Sequence, residues 1–140
     1  MTVLLALLQV LFLVRHAEKV DNSRDAALSQ AGEARALALA DKLRDAGITA
    51  IFTTEFRRTQ KTAAPLAKRL NVKTQVRAAD DTAGLVALLN KQERALVVGH
   101  SNTLPEIAKA FGTTLEVPDE EFDGLYVLLP AERLLVRLHQ

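Results

Sequence analysis

The chain contains no cysteine. Thiolate nucleophiles, disulfides and cysteine-bearing zinc sites are excluded in one step, so its chemistry must run on His, Asp, Glu, Ser, Lys or Arg. The same absence leaves the compartment open, because a cysteine-free chain is at home in either redox environment. Aromatic residues are scarce: five Phe and one Tyr, with no clustering. Nucleic-acid grooves need stacking platforms and a basic stripe, and the formal net charge is only +1, so nucleic acid is not an expected partner. Repeats, low-complexity tracts and Ser/Gly-rich linkers are missing too, which leaves no internal domain boundary. What is present suits one folded domain: 140 residues, 49% hydrophobic and 25% charged, enough to bury a core and too apolar for disorder.

The start of the chain, MTVLLALLQVLFLV, is apolar over almost all of residues 3–14. It is too short to span a bilayer, so stable membrane insertion is not expected, and it lacks the basic n-region and A-x-A site of a complete signal peptide. Two readings stand. In one, residues 10–14 form the first core strand and the stretch before them is a tail or strand extension. In the other, residues 1–9 are the remnant of an export signal, and residues 10–140 form the single domain. The second is favoured because MTVLLALLQ has no polar face and does not match the pattern of the strand after it. It predicts an exported, periplasmic protein; the first predicts a cytoplasmic one.

Farther on, strand and helix patterns alternate. VLFLV (10–14) is a continuous β-rich run, as in a strand buried on both faces. Apolar residues at helical spacing predict a helix from Ser29 to Ala46, with Ser29 as N-cap and Gly47 as C-cap. Strands follow at 48–54, 72–76 and 94–99, with helices at 57–70, 82–92 and 104–111, the last opened by Pro105 in its first turn. GLYVLL (124–129) and RLLVRL (133–138), joined at Pro130-Ala131, predict a hairpin. The expected fold is α/β: a three-layer α/β/α sandwich with a mostly parallel central sheet and a C-terminal antiparallel hairpin.

Ligands of such sheets sit at the C-terminal ends of the strands. Those ends carry Arg15-His16, then Thr53-Thr54 with Arg57-Arg58, then His100-Ser101-Asn102. Two imidazoles with two or three guanidiniums, and no thiol or metal-ligand spacing, make an anion pocket. Arginine pairs bidentately with phosphate oxygens, and helices starting near Arg57 and after His100 add N-terminal amides. Phosphate is the natural occupant. A cradle needs one imidazole at most, so the second points to nucleophilic catalysis at phosphorus by a histidine that neighbouring cations keep neutral.

Four ordered stretches resemble the histidine phosphatase superfamily, the phosphoglycerate-mutase-like fold. LVRHAEK (13–19) is similar to its RHG-type signature, with Ala17 where many members have Gly; LSQAGEARA (28–36) is similar to its helix start. TTEFRRTQKTA (53–63) resembles the segment bearing the second phosphate arginine, and VVGHSNT (97–103) the second-histidine motif. The resemblance implies His16 as the phosphorylated nucleophile, with Arg15, Arg58 and His100 holding the phosphoryl group. Ser101 adds a contact, and Asn22 or Ser23 lines the entrance. For the general acid it points to VRAADDTAG, where Asp80 and Asp81 are the candidates, with Glu18 and Glu55 as alternatives.

Other polar residues have plainer explanations. His139 is expected to be exposed, Arg57 to be a rim charge, and Lys19 and Arg24 to lie on a solvated loop or to draw in an anion. The acidic run PDEEFD (118–123) has a spacing that fits no common metal loop and reads as a solvated connection. Glu18 either donates a proton or balances charge. The expected function is hydrolysis of phosphomonoesters or phosphohistidine through a phosphohistidine on His16, without metal or cofactor. The substrate is a small phosphorylated molecule or a phosphoprotein. The alternatives are a phosphoglycerate mutase-type phosphotransferase, for which the chain has little left over to build a lid, and a non-catalytic phospholigand-binding module.

Overall fold

The computed structural model describes residues 9–140, so the stretch read as an export-signal remnant lies outside the described residues, apart from Gln9. The elements follow one another as β1 (Val10–Arg15), α1 (Gln30–Leu43), β2 (Ala50–Thr53), α2 (Arg57–Leu70), β3 (Thr74–Val76), α3 (Thr82–Leu89), β4 (Arg94–Gly99), α4 (Thr103–Ala110), β5 (Gly124–Leu129), a 3-10 turn at Pro130–Glu132, and β6 (Leu134–His139). The strands make one sheet in the order β3-β2-β4-β1-β5-β6. The first four of that order are parallel, and β5 and β6 close the sheet as an antiparallel hairpin. This is the mostly parallel sheet with terminal hairpin that the pattern predicted.

Alternation along β1 explains its unbroken apolar run. Leu11 and Leu13 point into one core with Leu89 of α3 and Leu104 and Ile107 of α4. Phe12 and Val14 point into a second core with Leu39 and Leu43 of α1 and Ala63 and Leu66 of α2. Helices thus cover both faces, and a central strand with two buried faces has no room for a polar residue. Each buried Leu or Phe contributes roughly 1.5–3 kcal/mol, so packing fixes this strand. Among the described residues no helix is long and apolar enough to cross a membrane.

Two helices end earlier than their apolar spacing predicts. α1 stops at Leu43, with Arg44 as C-cap, and Gly47 (φ 76°) instead turns the chain into β2. Ala46 still packs against the core, but from the turn, where its carbonyl accepts from Arg94. α3 stops at Leu89, where the Lys91 and Gln92 amides close its last turn on the Leu88 and Leu89 carbonyls, and the buried Gln9 amide also donates to the carbonyls of Leu89 at 2.7 Å and Gln92 at 2.9 Å. Those carbonyls are satisfied without another helical turn.

Register then builds the site. Arg15 lies opposite Gly99 in the β1–β4 pair, so the next residues, His16 and His100, leave adjacent strands side by side. The His16 amide donates to the Gly99 carbonyl at 2.9 Å and continues the ladder by one step. On the other side of β4, β2 delivers Thr53 and Thr54 to the same edge.

Candidate active site

His16 and His100 are both buried, with ring centroids 5.5 Å apart and planes tilted by 60°. His16 Nδ1 lies 2.8 Å from the carbonyl oxygen of Ala17. A carbonyl only accepts, so Nδ1 carries the proton and the Nε2 lone pair is bare. Burial, reinforced by Arg15, His100 and Arg58 and opposed by the Ala17 hydrogen bond, drives the His16 pKa down to about 3. His100 falls to about 4, again mainly by burial, with Arg58 next. Both rings are therefore neutral at pH 7. His100 Nε2 pairs with the Thr54 hydroxyl at 2.9 Å, and that hydroxyl pairs with Thr59 Oγ1 at 3.0 Å. Thr62 ties the start of the first loop to α2 by accepting from the Ala17 amide and donating to the Arg58 carbonyl.

Arg15 and Arg58 flank the pair. Neither forms an ion pair among the described residues, and each keeps a buried Nε–H without a partner. Burial lowers both guanidinium pKa values, yet arginine stays cationic. Arg57 differs: it bridges to Asp25 at 3.3 Å, and its backbone amide, expected to face the anion, donates to Asp25 Oδ1 at 2.9 Å. Asp25 thus takes a donor that the helix start had offered to the pocket.

The candidate acids separate by their partners. Glu18 is held by both arms of the Arg35 fork, each at 2.8 Å, which keeps its carboxyl below the usual range. Both of its oxygens are occupied by that fork. Asp81 is the N-cap of α3, accepting from the Gly84 amide at 3.0 Å and from Arg77 at 3.0 Å. Glu55 accepts from the Ala79 amide at 2.8 Å and is exposed. Asp80 lines a cleft of about 470 Å³ together with Phe56, Arg58 and His100. The Ser101 hydroxyl donates to Asp119 Oδ1 at 3.2 Å. Asn22 is exposed, and Ser23 turns back onto Asp21; neither lines that cleft.

LSQAGEARA proves to be scaffold. Ser29 caps α1 by accepting from the Gly32 amide, and its own amide donates to the Glu18 carbonyl. A Cβ on Gly32 would sit 2.2 Å from that carbonyl oxygen, so only glycine lets the loop after His16 lie on the helix. Arg35, one turn on, supplies the fork that holds Glu18.

A family model described as histidine phosphatase superfamily (branch 1) matches residues 11–81. The chain belongs to this superfamily. Solved histidine phosphatase structures with the same fold include the mycobacterial glucosyl-3-phosphoglycerate phosphatase Rv2419c, at 15% identity over 85% of this chain and 89% of that one, with a TM-score of 0.68. A proposed phosphohistidine phosphatase, SixA, from Agrobacterium tumefaciens is 20% identical over 94% and 96% of the two chains, with a TM-score of 0.69. The protein histidine phosphatase SixA complexed with tungstate is 18% identical over 93% and 94%, with a TM-score of 0.68. No curated protein matches the chain.

One wall of this histidine phosphatase site escaped the sequence pattern. The acidic run 118–123 is more than a solvated connection, because Phe122 tilts against His16 with centroids 5.9 Å apart and lies under the Arg15 guanidinium at 4.1 Å. Charged neighbours hide that role in the sequence. The same run and the final strand bring Glu121, Asp123 and His139 together, with potential ligand atoms within 4.8 Å of one another. His139 is largely exposed there and bridges to Asp123 at 3.2 Å.

Proposed function

We propose that this protein is a phosphatase that transfers the phosphoryl group of a monoester or phosphohistidine to His16 and then to water. The observation that carries the reading is the Ala17 carbonyl on His16 Nδ1, which leaves Nε2 as a neutral nucleophile between two arginines without carboxylate partners. Arg15, Arg58 and His100 hold the phosphoryl oxygens, whose charge is spread equatorially in the transition state. The Nε2 lone pair forms a bond to phosphorus as the bond to the leaving group breaks, and the leaving atom takes a proton from Asp80. In the second step water attacks phosphorus, its proton passes to Asp80, and the P–N electron pair returns to Nε2 as inorganic phosphate departs.

The relatives lend support at the level of class: one hydrolyses glucosyl-3-phosphoglycerate, and a SixA structure holds tungstate, an oxyanion of phosphate shape. Hydrolysis of p-nitrophenyl phosphate, measured with and without EDTA, tests the reading. Wild type should turn over equally in both, and His16→Ala should lose at least about a thousandfold in kcat. Turnover that survives the loss of His16 would sink the mechanism.

A further inference from the structure

The two arginines are held in matching ways. The Arg15 guanidinium carbon lies 4.1 Å from the centroid of Phe122, and that ring packs on His16 at 5.9 Å. The Arg58 carbon lies 4.5 Å from the centroid of Phe56, with the Arg24 carbon farther off at 5.9 Å, and that ring packs edge-on against His100 at 5.4 Å. Each arginine gives one terminal nitrogen to a main-chain carbonyl, Arg15 to Asp119 and Arg58 to Arg24. Each keeps a buried, unpartnered Nε–H. The two rings come from distant stretches, one just ahead of α2 and one in the acidic loop before β5, yet they do the same thing on opposite sides of one histidine pair.

The chemistry explains why phenylalanine serves here. A carboxylate would also hold a guanidinium, but it would occupy the donors and cancel the charge, as Asp25 does for Arg57 and Glu18 for Arg35. A phenyl ring attracts the cation through its quadrupole and offers no hydrogen-bond acceptor. It fixes the arginine while leaving both charge and N–H groups for an anion.

We propose that Phe122 and Phe56 are paired positioning residues, each holding one arginine, Arg15 or Arg58, ready for the oxyanion bound between His16 and His100. The proposal rests on the phosphoryl-site reading above, and its test separates the two. Tungstate affinity is measured by calorimetry for Phe122→Leu and Phe56→Leu, alone and combined with Arg15→Ala or Arg58→Ala. Each leucine variant should weaken binding roughly threefold to thirtyfold, the range of a single cation–π contact.

The coupling should be crossed. Phe122→Leu should cost nothing further once Arg15 is gone, yet keep its full effect when Arg58 is gone. Phe56→Leu should show the reverse. Phe122→Trp and Phe56→Trp keep a ring and should bind within about twofold of wild type, which guards against a leucine variant that merely folds poorly. Equal losses in both arginine backgrounds, or a wild type that binds no tungstate, would overturn the proposal. Crossed coupling in a protein that turns over neither a phosphomonoester nor a phosphohistidine would leave it standing and sink the phosphatase reading alone.

Discussion

At the scale of single residues, two adjacent arginines with one chemical identity are paired differently. Arg57 is bound to Asp25 by side chain and backbone alike, whereas Arg58 forms no ion pair among the described residues and is held by a phenyl ring and a carbonyl. Kinetics on p-nitrophenyl phosphate should register the difference. Arg58→Ala is expected to lower kcat/KM by about a hundredfold or more, as for loss of a transition-state donor, and Arg57→Ala by less than about threefold. Similar losses at both positions would mean that the pocket draws on Arg57 as well. The resemblance to the histidine phosphatase segment favours Arg58 over Arg57, and their different partners are what the kinetics would probe. Asp80 and Asp81 differ in a way that spacing does not show: the Asp81 carboxylate caps α3 and pairs with Gly84 and Arg77, whereas Asp80 lines the cleft beside Arg58 and His100.

At the scale of elements, the loop after His16 rests on the first turn of α1. Gly32 permits the contact, with a Cβ there falling 2.2 Å from the Glu18 carbonyl oxygen. Gly32→Ala should cost about 1–3 kcal/mol in urea unfolding, as overpacking against backbone does, and should reduce turnover together with it through the displaced Ala17 carbonyl. An unchanged unfolding midpoint would show that the loop sits less firmly than the contact implies. Element existence was legible throughout, since long apolar runs at period two or at helical spacing survive any tertiary context. Element ends were legible for α2, β4 and β5 but not for α1 and α3. α3 ends where Gln9, far away in sequence, joins the Gln92 amide on the Leu89 carbonyl, and such a long-range contact has no local signature. The run 118–123 shows the same limit, because Phe122 gains its place only when the β1–β5 pairing brings the loop back over Arg15.

At the scale of the molecule, burying two neutral imidazoles ties stability to pH. His16 and His100 sit at about 3 and about 4 in the fold, against an ordinary 6.5. Between those limits the unfolded chain binds more protons than the native one, so stability is full above pH 6.5 and falls as pH drops toward 4. The urea midpoint should be lower at pH 5 than at pH 7, and replacing both histidines by Asn should flatten that difference. An equally steep dependence in the double variant would assign it to other groups. Parallel strands with two buried faces made the layered fold readable before any coordinates.

The central claim is that His16 Nε2 takes the phosphoryl group, and trapping the intermediate tests it most directly. The enzyme is mixed with a phosphomonoester, quenched in alkaline denaturant within milliseconds, digested and mapped by mass spectrometry. An acid-labile, alkali-stable phosphoryl group is expected on the peptide that contains His16, absent in His16→Ala and retained in Asp80→Asn. Turnover with no phosphorylated His16 peptide at any quench time, or a phosphoryl group on His100 instead, would contradict it.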